Sequence, residues 1–246
     1  MRTSNNTILI TGGATGIGLA LAGLFMKSGN EVIICGRRED RLDEARKKLP
    51  GLHAKRCDIS SKSDLESLYV WLDANFKELN VLVNNAGIQR RIDLKNTGSD
   101  SAIDDEIDIN LKAQISLSAH FIPILSKRNE AAIVNISSGL GFVPIAAFPV
   151  YCATKAALHS FSVSLRYQLR QTPIKVFEVI PPTVHDTELK GRFLEKNEYS
   201  VSASEVAHAV IGGMSSDEYE IAIGSSKNLV AGSKGDLDRA FGRMNH

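Results

Sequence analysis

"TILITGGATGIGLALA", Thr7 to Ala22, is the stretch on which the fold turns. Its first five residues are apolar or β-branched, as in a buried strand, and its last residues repeat apolar positions at helical intervals. Between them Gly12, Gly16 and Gly18 mark a tight turn. Glycines there let backbone amides approach an anion, and the helix N-terminus adds partial positive charge. The spacing is G-x-x-x-G-x-G rather than G-x-G-x-x-G, and either string alone is weak evidence. The strand before it and the helix after it favour a dinucleotide phosphate over an ordinary glycine-rich turn.

The same alternation continues outward. "EVIIC", "HAKRC", "VLVNN", "AAIVNIS", "KVFEVI" and "EIAIG" read as six more strands, separated by segments with helical periodicity. Parallel strands need crossovers of that length, and such crossovers are right-handed. The pattern predicts an α/β fold: a single doubly wound Rossmann-type domain over residues 1–246, with a mostly parallel seven-stranded sheet. Long helices are expected from Asp100 to Leu125 and from Val150 to Arg170. "PPTVHDTELKGRFLEKNEYSVS", Pro181 to Ser202, interrupts the alternation, so an insertion around 182–202 reads as a substrate lid, with a solvent-facing excursion as the alternative.

Composition narrows the function classes. The chain has 246 residues, 43% hydrophobic and 23% charged, which suffices for a sizeable core and excludes disorder. Lys+Arg 29 against Asp+Glu 28 leaves a net charge of +1, so no cationic excess points to nucleic acid or to an anionic membrane. Cys35, Cys57 and Cys152 contain no C-x-x-C pair and read as reduced, half-buried thiols, and the scattered histidines offer no metal site. The N-terminus passes directly into a strand and no segment suits a bilayer, so a cytoplasmic protein is expected.

In "PVYCATKAALHSF", Tyr151 and Lys155 share one helical face, a pairing that means little without company. That company is "TGGATGIG", then "NNAG" at Asn84 to Gly87, then Ser138 ahead of the tyrosine. Together these resemble the short-chain dehydrogenase/reductase family, over essentially the whole chain. Within it, "GNEVIICGR", "LNVLVNNAGIQ" and "PVYCATKAALHSFS" are similar to the DltE-type oxidoreductases of bacteria.

The resemblance implies hydride transfer between a nicotinamide dinucleotide and a small carbonyl or alcohol. Tyr151 is then the general acid/base, and bringing a phenol of pKa ~10 near neutrality takes roughly 4 kcal/mol of preferential phenolate stabilisation. Lys155 supplies positive charge, and Ser138 rather than Ser137 positions the reacting oxygen. Asn110 completes the tetrad by holding a water in a relay to Lys155, although taken alone it reads as a helix-bending residue satisfied by backbone. Cofactor contacts are implied at Gly12, Thr15, Gly16, Ile17, Gly18, Arg37 and Arg38, and at Asp58 and Ile59 beside the adenine. Further along they fall at Asn84, Ala86, Gly87, Tyr151, Lys155, Pro181, Val184 and Thr187, with a structural role also open to Asn84.

Two departures touch the nicotinamide end: Pro182 stands where the family has glycine, and Thr187 comes one place late. At the end of the second strand an acidic residue would mark NAD, whereas here Gly36 leaves room and Arg37 can clamp a 2′-phosphate. NADP is therefore expected and NAD less so, even though Thr15 is not basic. Substrate walls are expected at Gln89, Arg90, Gly139, Phe142, Phe148, His185, Leu189 and Phe193. A homodimer or homotetramer is expected through the two long helices, with Ala153, Ala156 and Ala157 permitting close approach. The competing class is a dinucleotide-binding sensor without turnover, which would not require the complete tetrad.

Overall fold

A computed structural model describes residues 1–95, 100–187 and 198–245. The first half runs β1 (Thr7–Thr11), α1 (Gly16–Lys27), β2 (Glu31–Gly36), α2 (Glu39–Lys48), β3 (His53–Arg56), α3 (Lys62–Asn75) and β4 (Leu79–Asn84). The second runs α4 (Asp100–Ile107), α5 (Ala113–Leu125), β5 (Ala131–Ile136), α6 (Pro149–Gln168), β6 (Ile174–Ile180), α7 (Ala203–Ser215) and β7 (Glu220–Ala222). Two further helices, α8 (Ser226–Lys234) and α9 (Leu237–Asn245), close the chain. The order across the sheet is β3-β2-β1-β4-β5-β6-β7, and every pairing is parallel, so the sheet is wholly rather than mostly parallel.

The central strands β1, β4 and β5 are buried at every position because both their faces are covered, as parallel sheets require, whereas the edge strand β3, HAKR, is polar and partly exposed. In β1, Ile8 and Ile10 pack toward α1 and α7 with Leu21, Phe25, Val206 and Val210. Leu9, alternating to the other face, joins Leu68, Leu72, Leu117, Phe121 and Leu165 from α3, α5 and α6. Strand order reverses between β1 and β4, whose following chains leave for opposite faces. A crevice opens at their carboxyl ends, the position where open α/β sheets bind ligands.

Three details depart from expectation. The helix expected from Asp100 to Leu125 is interrupted by a π-helical turn, Asp108–Lys112, of the kind that often marks a functional site. The C-terminal helices were not foreseen, and Asn245 anchors the last one by donating to the Pro144 carbonyl. All three cysteines are fully buried rather than half-buried, and free. No helix among the described residues is long and apolar enough to cross a membrane.

The turn after β1 is tight enough to be tested. Gly12 and Gly16 hold φ of 63° and 53°, the left-handed region that favours glycine. Gly18 is constrained by contact instead, since a Cβ there would lie 2.4 Å from the Gly12 carbonyl oxygen. At Gly36 the nearest atom to such a Cβ is a Leu42 methyl at 3.9 Å. Gly18→Ala should therefore cost about 1–3 kcal/mol by overpacking, lowering Tm by roughly 2–12 °C. Gly36→Ala should stay within about 0.5 kcal/mol of wild type. Thermal unfolding of the two variants checks this, and equal Tm values would contradict the packing of the turn.

Candidate active site

The phosphate cradle is built from the turn between β1 and α1. Thr15 stands at the N-cap in extended conformation without a side-chain cap bond, and the first turn of α1 carries no acidic residue. Helix-end amides and their partial charge are thus left for an anion. The cradle is tied to the end of β4 by Asn85, whose Nδ2 donates to the Thr11 and Gly12 carbonyls at 2.8 and 3.1 Å. Thr11 Oγ1 in turn accepts from the Asn85 and Ala86 amides, each at 3.0 Å. These features fit a dinucleotide: glycine where side chains would block approach, and an uncapped helix end.

At the far end of β2 and β3, Arg37, Arg38 and Arg41 border the cleft beside Asp58. Arg37 lies 3.9 Å from the Asp58 carboxylate and keeps half its side chain exposed. Asp58 does not cap α3, because Ser61 accepts from the Asp64 amide instead. It accepts from the Ser60 amide and hydroxyl, at 3.0 and 2.7 Å, which fixes its carboxylate at the rim. Arg41 belongs to this basic cluster, and sequence reasoning passed over it.

The other end of the crevice lies where β5 stops. Ser138 caps the short 3₁₀ turn Gly139–Gly141, accepting from the Leu140 amide, and its hydroxyl stands close enough to the Tyr151 phenol to pull its pKa down. Lys155, one turn after Tyr151, donates from Nζ to the Ile136 carbonyl at 2.8 Å and lies 5.7 Å from the tyrosine ring centre. Both side chains are almost wholly buried. Burial pushes the Tyr151 phenol well above its ordinary value, opposed by the Ser138 hydrogen bond. Burial likewise pulls Lys155 down to about 8, opposed by the Glu178 carboxylate. The polypeptide therefore moves the phenol upward, opposite to the shift expected from lysine proximity, because desolvation dominates and the Glu106 carboxylate adds to it.

One cleft of about 1280 Å³ runs from the arginines past the cradle to Tyr151. Of the residues singled out in the sequence for catalysis or cofactor contact, all but Gly18, Asn84 and Asn110 line it. Gly18 packs beneath the turn. Asn84 points away into the interior, donating to Ser118 Oγ at 3.0 Å and Asn135 Oδ1 at 2.9 Å, so its side chain braces β4 against β5 and α5. Its cleft-facing neighbour Asn85 takes the position expected of it. Asn110, in the π turn, accepts from the Ile88 amide and donates to the Ile88 carbonyl, both at 2.8 Å. Its side chain is satisfied by backbone, the alternative open at the sequence level, and a Cβ added to Gly87 would sit 3.3 Å from its Oδ1 and 3.7 Å from Lys155 Nζ.

Thr187 is buried, donates to the Val184 carbonyl at 3.1 Å and packs over Gly16, despite its late place in the sequence. Among the expected substrate walls, Gln89, Arg90, Gly139 and Phe148 border the cleft. Phe142 instead packs on His159, and His185 meets Ser200. Leu189 and Phe193 lie outside the described residues. The remaining wall comes from α8 and α9, through Leu229, Ala240, Arg243 and Met244. Leu237, Ala240, Phe241 and Met244 follow helical spacing, a signal that could have found this wall.

Similarity to known proteins agrees with this geometry. The short chain dehydrogenase family model matches residues 6–198. The uncharacterized oxidoreductase DltE of Bacillus subtilis (strain 168) is 48% identical over 249 residues, covering 100% of this chain and 98% of that protein. The NADP-dependent 3-hydroxy acid dehydrogenase YdfG of Escherichia coli (strain K12) is 32% identical over 185 residues, 75% of each chain. A short-chain dehydrogenase from Sphingobium yanoikuyae, solved in complex with NADPH, superposes with a TM-score of 0.81 at 26% identity, covering 95% of both chains. With a wholly parallel sheet reversing at β1 and β4, and a serine, tyrosine and lysine meeting at its carboxyl edge, the chain belongs to the short-chain dehydrogenase/reductase family of oxidoreductases.

Proposed function

We propose that the protein interconverts a carbonyl and an alcohol of a small molecule with NADP(H), using Tyr151 as the proton donor and acceptor. The observation that carries this reading is the convergence of Ser138, Tyr151 and Lys155 at the inner end of the dinucleotide-sized cleft. A nicotinamide, when bound, supplies or accepts the hydride. Ser138 orients the reacting oxygen, Tyr151 delivers a proton to it in reduction and removes one in oxidation, and the Lys155 ammonium favours the phenolate. Because burial raises the phenol, Tyr151 is protonated throughout the neutral range, as the reductive direction requires.

The choice of NADP(H) rests on the basic rim. Gly36 leaves open space, no acid occupies the end of β2, and Arg37 can turn from Asp58 to a 2′-phosphate. YdfG, described as NADP-dependent, and the Sphingobium enzyme with NADPH point the same way. The loop around 182–202 serves as the substrate lid in this reading: at its described ends Val184 bridges Val201, and Asp186 accepts from the Ala203 amide. On α6, Ala153 and Ala156 are exposed in line with Val163 and Tyr167, and this stripe is the surface proposed to pair with a second copy. Light scattering at micromolar concentration should show a dimer or tetramer, and a monomer alone would contradict the pairing.

Tyr151→Phe removes one proton-bearing group and little volume. It should leave NADPH affinity within about threefold while lowering turnover of reactive carbonyls by about 10²-fold or more. Absorbance assays over a carbonyl panel check this, and retained activity would sink the assignment. Arg37→Ala should reduce the NADPH-over-NADH preference by about ten- to a hundredfold in binding titrations, from roughly 1.5–3 kcal/mol of charge-assisted hydrogen bonding. Lys155 is charged below about 8 and neutral above it. For reduction, kcat/KM with NADPH varied should hold below that pH and fall above it; a rise through the same range would contradict the role of the ammonium.

A further inference from the structure

Behind the catalytic helix lies a carboxylate that the mechanism above leaves unused. Glu178, in the middle of β6, is wholly buried. One oxygen, Oε2, meets His159 Nδ1 at 2.8 Å, while Oε1 has no hydrogen-bond partner among the described residues. A buried carboxylate without full hydrogen bonding is costly unless a cation shares its surroundings.

The topology places such a cation beside it. In the β5–β6 register Asn135 faces Glu178 and Ile136 faces Val179, and Lys155 Nζ is anchored on the Ile136 carbonyl. His159 follows Lys155 by one helical turn and holds the carboxylate, so Glu178 lies beneath the Lys155–His159 ladder on the sheet-facing side of α6. Arg166 of the same helix is engaged elsewhere, donating to the Val176 carbonyl and approaching Glu220 of β7 at 3.5 Å. Glu220, paired with Glu178 in the β6–β7 register, is the other acid on this side. On the cleft side Glu106 of α4 acts on Tyr151 and accepts from the Arg90 amide, and the Arg90 guanidinium, paired with Asp105, acts on Glu106 in turn.

We propose that Glu178 is a positioning residue of the catalytic site: its carboxylate, oriented by His159, is the buried counter-charge that keeps Lys155 in the ammonium form. The proposal rests on the catalytic reading of Lys155, to which it adds the source of the charge. A half-exposed histidine and a buried lysine thus share one anion: His159 titrates upward through its bond to Glu178, and the same carboxylate opposes the desolvation that drives Lys155 down. Neutralising Glu178 removes that opposition, whereas a fixed cation at position 159 cancels the carboxylate and adds repulsion. Both changes should lower the pH at which Lys155 loses its proton.

The test is competitive acetylation of the full chain with acetic anhydride across pH, without nucleotide, following the peptide that carries Lys155 by mass spectrometry. Wild type should show a midpoint near 8, and Glu178→Gln should lower it by about one pH unit or more, the scale of an adjacent opposite charge. Where that variant does not fold, as judged by circular dichroism, His159→Arg decides, being at a half-exposed site and expected to shift in the same direction. A curve superimposed on wild type, or displaced to higher pH, would overturn the proposal. Since labelling needs neither nucleotide nor turnover, its outcome is separable from failure of the oxidoreductase reading.

Discussion

Asn85 joins β1 to β4 at the point where the sheet reverses direction, donating to the carbonyls of Thr11 and Gly12 while Thr11 accepts from the following amides. The glycine turn cannot hold its own shape, because positive φ at Gly12 and Gly16 is permitted by glycine rather than enforced by it. The Asn85–Thr11 bonds supply the enforcement. They fix the uncapped end of α1 over the crevice and bring Ala86 and Gly87 to its floor. From that anchor the candidate catalytic residues are placed by rigid elements: Ser138 at the end of β5, and Tyr151 and Lys155 on successive turns of α6.

Burial sets the chemistry of this site as much as proximity does. A phenol and an ammonium side by side in water would favour phenolate, but here both are desolvated, and desolvation opposes charge on each. At Lys155 the Glu178 carboxylate of β6 opposes that penalty. Glu178 is held by His159, and a separate chain of Asn84, Asn135, Ser118 and Ser162 ties β4 and β5 to each other and to α5 and α6.

Much of this was legible in the sequence. The seven strands stand out because runs such as "TILIT" and "EVIIC" are continuous, as burial on both faces demands, and the crossover lengths leave little choice but parallel pairing. The family motifs carried Ser138, Tyr151 and Lys155 to their places. Asn84 and Asn85 could not be told apart, since adjacent strand residues face opposite sides and the motif alone does not say which faces the cleft. The upward shift of Tyr151 depends on three-dimensional burial that no spacing reports. The cleft wall from α8 was hidden by weak helix formers such as Asn228, Gly232 and Ser233, while the apolar spacing in α9 was present in the sequence.

The central claim is that this cleft transfers hydride to a carbonyl with Tyr151 supplying the proton. The most direct measurement incubates the wild-type protein with NADPH deuterated at the transferable C4 position and a panel of aldehydes and ketones, then reads deuterium in the alcohol products by mass spectrometry. One deuterium on the carbinol carbon of at least one product, formed at least about 10²-fold faster than by Tyr151→Phe, is the result expected. Saturable NADPH binding with no deuterated alcohol from any member of the panel would contradict it and favour a dinucleotide-binding sensor.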